Sequence, residues 1–253
     1  MNFRIMTLFS EAISAYTDSS ILGRAQKAGI IDVKYFNIRD YSLDKHRKVD
    51  DTPYGGGFGM VMTPQPLFDC HKAATEGLIG KTLTLYLSPA GRRFDHNMAM
   101  KLKEYDNLVF ICGHYEGIDQ RVIDKIVDTE VSVGDYVLTG GELPCAIIVD
   151  AVSRLIDGVL PDSECYMGES IASGLLEHPQ YTKPASYMGA EVPEVLKCGN
   201  HKDIVTWQRK MALKKTYSVR PDLLDTAELT ASDILYIEEL SQSLNDLNEE
   251  AES

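Results

Sequence analysis

Several things are scarce in this 253-residue chain. No apolar run is long enough to span a bilayer, so no transmembrane helix is expected. The five cysteines, Cys70, Cys112, Cys145, Cys165 and Cys198, are odd in number and never form a CxxC pair. That argues against a disulfide framework or a zinc knuckle; free thiols in a reducing cytoplasm are the expectation. The six histidines show no HExxH pairing. The opening "MNFRIMTLFSEAIS" has no basic leader ahead of a long apolar core, so it reads as a first strand and not as a signal peptide.

Positive charge is missing from one end altogether. Residues 222–253 hold ten acids and no Lys or Arg. The whole chain carries −13, but without that segment 28 acids face 25 bases, a balance of −3. Basic clusters remain in "RDYSLDKHRK" (39–48), Arg92-Arg93 and "WQRKMALKK" (207–215). A polyanionic partner is therefore permitted, though not demanded.

Two phosphate motifs are also absent. "DDTPYGGGFGM" (50–60) is rich in glycine, but Gly59 is followed by Met60, Val61 and Met62 where a P-loop would place Gly-Lys-Ser/Thr. No GxGxxG with a following acid occurs. Glycines so crowded imply positive φ or a close approach of backbone to something else.

At 44% hydrophobic and 25% charged, the composition is that of an ordinary soluble globular protein. Residues 1–160 alternate apolar runs with amphipathic stretches. Strands are expected at 3–9, 32–36, 83–88, 108–113 and 130–138, and helices at 11–28, 64–78, 94–104, 118–127 and 142–157. Such alternation predicts an α/β domain with a mostly parallel sheet. A Gly-, Pro- and Ser-rich stretch follows Gly158 and reads as a flexible linker over 161–180. Residues 181–253 read as a small helical domain, with helices at 201–218 and 230–248 and an acidic tail. Three loops, "YLSPAGRRF" (86–94), "CGHYEGIDQRV" (112–122) and "SVGDYVLTGGELP" (132–144), each follow a strand. At the carboxyl ends of parallel strands such loops form a crevice suited to a nucleotide-like ligand.

Together with "DYSLDKHRKVDDTPYGGGFGMVM" and "GLLEHPQYTKP", in this order, those loops resemble the bacterial tRNA (guanine-N1)-methyltransferase family, TrmD, of the SPOUT superfamily. The resemblance runs from Met1 to about Leu224. It implies methyl transfer from S-adenosylmethionine to N1 of the tRNA guanine immediately 3′ of the anticodon. It also implies a SPOUT-type parallel sheet with a trefoil-knotted region at the C-terminal end of domain 1–160, a homodimer with shared active sites, a Mg²⁺ requirement with no site assigned, a cytoplasmic location, and a tRNA-binding role for the all-helical C-terminal domain.

Family positions carry over residue by residue. Tyr86, Leu87, Ser88, Pro89, Gly113, Tyr115, Glu116, Ser132, Val133, Gly134, Asp135, Tyr136, Val137, Leu138, Gly140, Gly141 and Pro144 match the methyl-donor pocket. Asp50, Tyr54, Gly55, Gly56, Gly57, Phe58, Gly59, Glu177 and Lys183 match the substrate side. The reaction needs a base for the N1 proton and a cation or donor at the guanine oxygen. Glu169, in "ESIASGLLE", matches the family's acidic base, and Arg154 matches its oxygen-stabilising arginine. Glu177 stands as the second candidate base, and Glu164 offers a further carboxylate. On local grounds alone, Glu169 is a solvated loop carboxylate, Arg154 a surface arginine and Asp50 a turn or capping residue.

The chain departs from the family pattern at five places: Glu169 for Asp, Ile171 for Phe, Phe58 for Pro, Lys183 for Arg and Gln180 for His. Lys183 keeps a charge but not a two-pronged phosphate grip. An RNA-binding protein that kept the fold and lost catalysis is the alternative; intact Arg154 and a carboxylate at 169 speak against it.

Overall fold

The computed structural model describes residues 1–161, 170–171 and 174–252. It comprises two compact units, Met1–Ser163 and Glu164–Ser253.

In the first unit the strands are β1 (Asn2–Thr7), β2 (Asp32–Asn37), β3 (Asp50–Asp51), β4 (Val61–Met62), β5 (Thr82–Arg93), β6 (Asn107–Ile111) and β7 (Thr129–Ser132). Five of them form one parallel sheet in the order β2-β1-β6-β5-β7, while β3 and β4 pair as a short antiparallel hairpin. The helices are α1 (Ser10–Thr17), α2 (Ser20–Lys27), α3 (Pro64–Thr75), α4 (His96–Leu102), α5 (Gln120–Ile126) and α6 (Glu142–Ser153).

Every residue of β6 is buried, as is all of β1 after Asn2. Central strands covered on both faces have no solvated side, so their sequences are mostly apolar; the exception in β1, Arg4, is ion-paired with Asp32 at 2.8 Å. Met6, Val109 and Ile111 face a core with Leu67, Cys70 and Val122 of α3 and α5. Their alternate neighbours Phe3, Ile5 and Phe110 point to the opposite face. There α1, α4 and α6 pack, with Ile13, Ile148 and Val152 wholly buried. The Phe3 and Phe110 rings lie 6.4 Å apart.

Local chemistry explains where elements start and stop. Pro64 opens α3, where its missing N–H costs nothing. Asp95 caps α4 by accepting from the Met98 N–H at 2.7 Å. The single helix expected over 11–28 is two helices, because Ser20 takes φ +47, which a continuing helix does not allow. The strand expected over 130–138 ends at Ser132, where Gly134 turns the chain out of the sheet. Between β5 and β7 the register breaks from Leu87 to Arg92, so Ser88–Gly91 leave the ladder as a bulge.

The second unit holds a two-stranded hairpin of β8 (Ser186–Tyr187) and β9 (Ala190–Glu191), then α7 (His201–Val219) and α8 (Ala231–Glu252). The hairpin is an addition to the all-helical expectation. The core is small: Leu175, Ala212 and Leu213, flanked by Leu224, Leu229, Tyr236 and Ile237. Leu176 N–H donates to Thr216 Oγ1 at 2.8 Å, holding this segment against α7.

At the start of α8 the Thr230 N–H donates to Asp233 Oδ2 (2.8 Å) and the Asp233 N–H to Thr230 Oγ1 (3.2 Å), a reciprocal cap. Arg209 reaches the same carboxylate through Nη2 at 3.0 Å and Nε at 3.3 Å. Burial pushes the Asp233 carboxyl up, but the hydrogen bonds from Arg209 and Thr230 outweigh it and hold the group below the usual carboxylate value. A depressed carboxyl contributes stability that is present above its unfolded pKa, about 4, and is lost as pH falls through the folded value. We expect Asp233→Ala to destabilise this unit by about 2 kcal/mol at neutral pH. In urea melts, the gap from wild type should narrow below about pH 4; a gap unchanged at pH 3 contradicts the role of the charge.

Candidate active site

A cavity of about 270 Å³ opens at the carboxyl ends of β5, β6 and β7. That is near the lower end for a small-molecule site. Its walls are three loops that leave those strands: 86–89 at the β5 bulge, 113–117 after β6 and 131–141 after β7, with Pro144 of α6. Every residue expected on sequence grounds to touch a methyl donor lines this cavity, except Asp135. Thr139, inside the expected stretch 132–141, lines it too, while His114, Gly117 and Val131 line it as well and were not anticipated.

Backbone does much of the lining. A Cβ at Gly113 would stand 2.9 Å from the Tyr86 ring, and one at Gly141 would stand 2.7 Å from the Cys112 Cα. Tyr86 is 6% exposed, and burial raises its hydroxyl pKa, so the ring stays neutral against the 113–117 backbone. Tyr115 is held at φ +59, an uncommon conformation for a non-glycine residue. The loop that holds it is fixed by Gly117 N–H to His114 O (3.1 Å) and Gly141 N–H to Gly113 O (3.0 Å). After β7, Ser132 Oγ exchanges hydrogen bonds with Gly134, and the Tyr136 N–H donates to Gly134 O at 2.9 Å. Tyr136 and Val137 stay exposed on this loop.

The glycine-rich stretch is the tip of the β3–β4 hairpin. Gly55, Gly56, Gly57 and Gly59 take φ of +86, +79, +128 and +82, a run that side-chain-bearing residues would resist. Tyr54 and Phe58 are almost fully exposed, so Phe58 packs on nothing among the described residues of its own unit. The hairpin is rooted in the cavity rim: Glu116 N–H donates to Met60 O (2.9 Å), Met62 N–H to Gly117 O (2.9 Å) and Asp119 N–H to Met62 O (3.0 Å). A Cβ at Gly59 would collide with the Glu116 carboxyl at 2.5 Å. Glycine loop and cavity thus meet at Glu116. Asp50 lies in β3, half-buried and paired with Met62. In the basic loop, Arg47 pairs with Asp40 at 3.0 Å and Lys48 with Asp51 at 3.4 Å.

Arg154 follows the last turn of α6, half-buried, and is not among the cavity-lining residues. Glu169, like Glu164 and Cys165, lies outside the described residues. Glu177 and Lys183 belong to the second unit. The Glu177 N–H donates to Ser170 Oγ (2.8 Å), and Gln180 Nε2 donates to Glu177 Oε1 (2.6 Å). Lys183 is exposed, and Ile171 takes φ +75. Also in this unit, the Trp207 ring lies 6.4 Å from His178 and 6.3 Å from Tyr181.

Sequence reasoning passed over a buried polar group beside the cavity. Thr7 at the end of β1, Glu142 in the first turn of α6 and His114 are joined by hydrogen bonds. Glu142 could be noticed in advance only as an acid favourable to a helix N-terminus. Among the described residues, Cys70, Cys112, Cys145 and Cys198 are free thiols; burial raises the first two well above the ordinary thiol range, which makes them inert. Among the same residues no group of three or more His, Cys, Asp or Glu could hold a metal ion, and no helix is long and apolar enough to cross a membrane.

Residues 1–226 match the family model described as tRNA (guanine-1)-methyltransferase TrmD. A protein of Alkaliphilus metalliredigens named tRNA (guanine-N(1)-)-methyltransferase is 52% identical over 244 residues, 96% of this chain and 99% of its own length. Proteins of the same name from Clostridioides difficile and Exiguobacterium sibiricum are 50% and 48% identical, covering 88% and 97% of this chain and 97% and 100% of their own lengths.

Proposed function

Because this chain belongs to the tRNA (guanine-1)-methyltransferase family TrmD, we propose that it transfers the methyl group of S-adenosylmethionine to N1 of the tRNA guanine immediately 3′ of the anticodon, a modification that maintains the reading frame. The cavity at the ends of β5, β6 and β7, walled by glycine backbone and rooted to the glycine loop, is the observation that carries this conclusion. The residues present fit such a donor. Gly113, Gly140 and Gly141 let a purine approach the main chain closely, Leu87, Val133 and Leu138 offer apolar contact, and the Glu116 carboxylate is suited to the methionine amine. When bound, S-adenosylmethionine supplies an electrophilic methyl carbon on a positively charged sulfur.

The chain supplies the rest. Glu169 takes the N1 proton, which frees the nitrogen electron pair for attack; Glu177 is the second candidate for this task. The Arg154 guanidinium meets the negative charge that grows on the guanine oxygen. Asp50 accepts from donors on the guanine edge. The glycine loop gives an extruded base room beside backbone, with Tyr54 and Phe58 free to stack on it. The second unit, with its basic α7, binds the tRNA, and Lys183 contributes a phosphate contact as a point charge. The acidic α8 repels phosphate and stays off the RNA.

The same proposal includes a SPOUT-type trefoil knot in the first unit, a homodimer with active sites shared between subunits, and a cytoplasmic location. It also includes a Mg²⁺ requirement; no described cluster fits a metal ion, and no step is assigned to it. The test is methyl transfer from labelled S-adenosylmethionine to unmodified tRNA transcripts carrying G or A 3′ of the anticodon. Labelling of the G transcript alone is expected. A protein that binds both transcripts and labels neither would be the inactive RNA-binding form of this fold.

A further inference from the structure

The hydrogen-bonded chain beside the cavity has no part in the chemistry above. Thr7 Oγ1 donates to Glu142 Oε1 at 2.5 Å, and Glu142 Oε2 lies 2.7 Å from His114 Nε2. Glu142 is 8% exposed, and a carboxylate at that depth needs a donor on each oxygen. His114 must therefore carry its proton on Nε2, which fixes the ring's orientation whether the imidazole is neutral or charged. Thr7 Oγ1 in turn accepts from the Phe9 N–H at 3.0 Å, and the Phe9 ring stands edge-on to His114 at 5.0 Å.

The partners lie on different walls. His114 sits between Gly113 and Tyr115 in the loop after β6, whereas Glu142 directly follows Gly140 and Gly141, where the loop after β7 enters α6. Their contact spans the two loops, alongside the main-chain bridge between His114 and Gly140. Gly140 is shaped by the pair: a Cβ there would stand 2.3 Å from His114 Cε1 and 2.6 Å from Glu142 Oε2. The turn closes over the pair only because residue 140 has no side chain.

We propose that Thr7, Glu142 and His114 are positioning residues that hold the two loops at the separation S-adenosylmethionine requires; this rests on the donor reading given above. Their effect should appear in donor affinity and not in tRNA affinity. Calorimetric titration of the full chain with S-adenosylmethionine, and a gel shift with tRNA in its absence, read the two separately. Glu142→Gln and His114→Ala should each weaken donor binding about tenfold, with tRNA binding unchanged. His114→Gln, whose amide nitrogen can reach the Nε2 position, should recover most of the loss. The double variant Glu142→Gln/His114→Ala should be no weaker than either single one, since both break one contact. If either variant fails to fold, Thr7→Val preserves the strand and should still weaken binding about threefold. Wild-type affinity in the variants, or losses that multiply in the double variant, overturns the proposal. A wild-type protein that does not bind S-adenosylmethionine overturns the donor reading itself.

Discussion

Glu169→Gln is expected to bind donor and tRNA as wild type does, yet to transfer methyl groups about 10²–10⁴-fold more slowly. The guanine N1 proton is only weakly acidic, and the nitrogen cannot attack while it is held. Glutamine keeps the size and hydrogen-bonding reach of glutamate but cannot accept that proton. Single-turnover transfer with saturating donor isolates this step from product release. Glu177→Gln supplies the contrast. Glu177 already accepts from Gln180 through Oε1, so its replacement should perturb the local turn and slow the chemistry less than about threefold. If Glu177→Gln is instead the slow enzyme and Glu169→Gln the fast one, the base is Glu177.

Gly141→Ala should abolish most donor binding, weakening it by about 100-fold. Its backbone is at φ −81, which alanine adopts freely, so the objection is spatial alone. A methyl group there would meet the Cys112 Cα at 2.7 Å and the Gly113 N at 3.1 Å. Both obstacles are main chain, and neither can swing aside as a side chain would. The start of α6 must then part from the end of β6, spreading the cavity where its walls touch. Overpacking of this kind also costs about 1–3 kcal/mol of stability. Gly55→Ala is the control: nothing lies within 4 Å of its Cβ, and the penalty is confined to φ +86, about 1 kcal/mol. Calorimetry with S-adenosylmethionine and urea unfolding on both variants separate the two causes. Equal donor affinity in Gly141→Ala and wild type contradicts the close contact.

The strands of the sheet were plain in the sequence, because β1 and β6 are buried on both faces and read as short, mostly apolar runs, with Arg4 the charged exception in β1. Polar loops between them advertised a crevice, and the cavity lies there. Legibility failed where a single backbone angle decided the outcome, as at Ser20 between α1 and α2, or at Gly134 after β7. Hairpins of two residues per strand, such as β8–β9, are too short for alternation to register. The Thr7–Glu142–His114 chain was hidden for another reason. Its members lie up to 135 positions apart, and only the order of strands in the sheet brings them together. Roles for Glu169, Arg154 and Asp50 came from family resemblance, since local pattern alone leaves each an ordinary surface group.

The order β2-β1-β6-β5-β7 has a consequence for the birth of the molecule. One side of β1 finds its mate in β2, 30 residues on, but the other side pairs with β6, with Asn2 opposite Asn107. At translation rates of about 5–20 residues per second, that side of β1 waits about 5–20 s for its neighbour to be made. During that interval it is an unpaired, sticky template, and nascent chains crowded on one messenger are its nearest alternative partners. The protein's vulnerability to aggregation is therefore set on the ribosome, before any catalytic residue beyond position 107 exists.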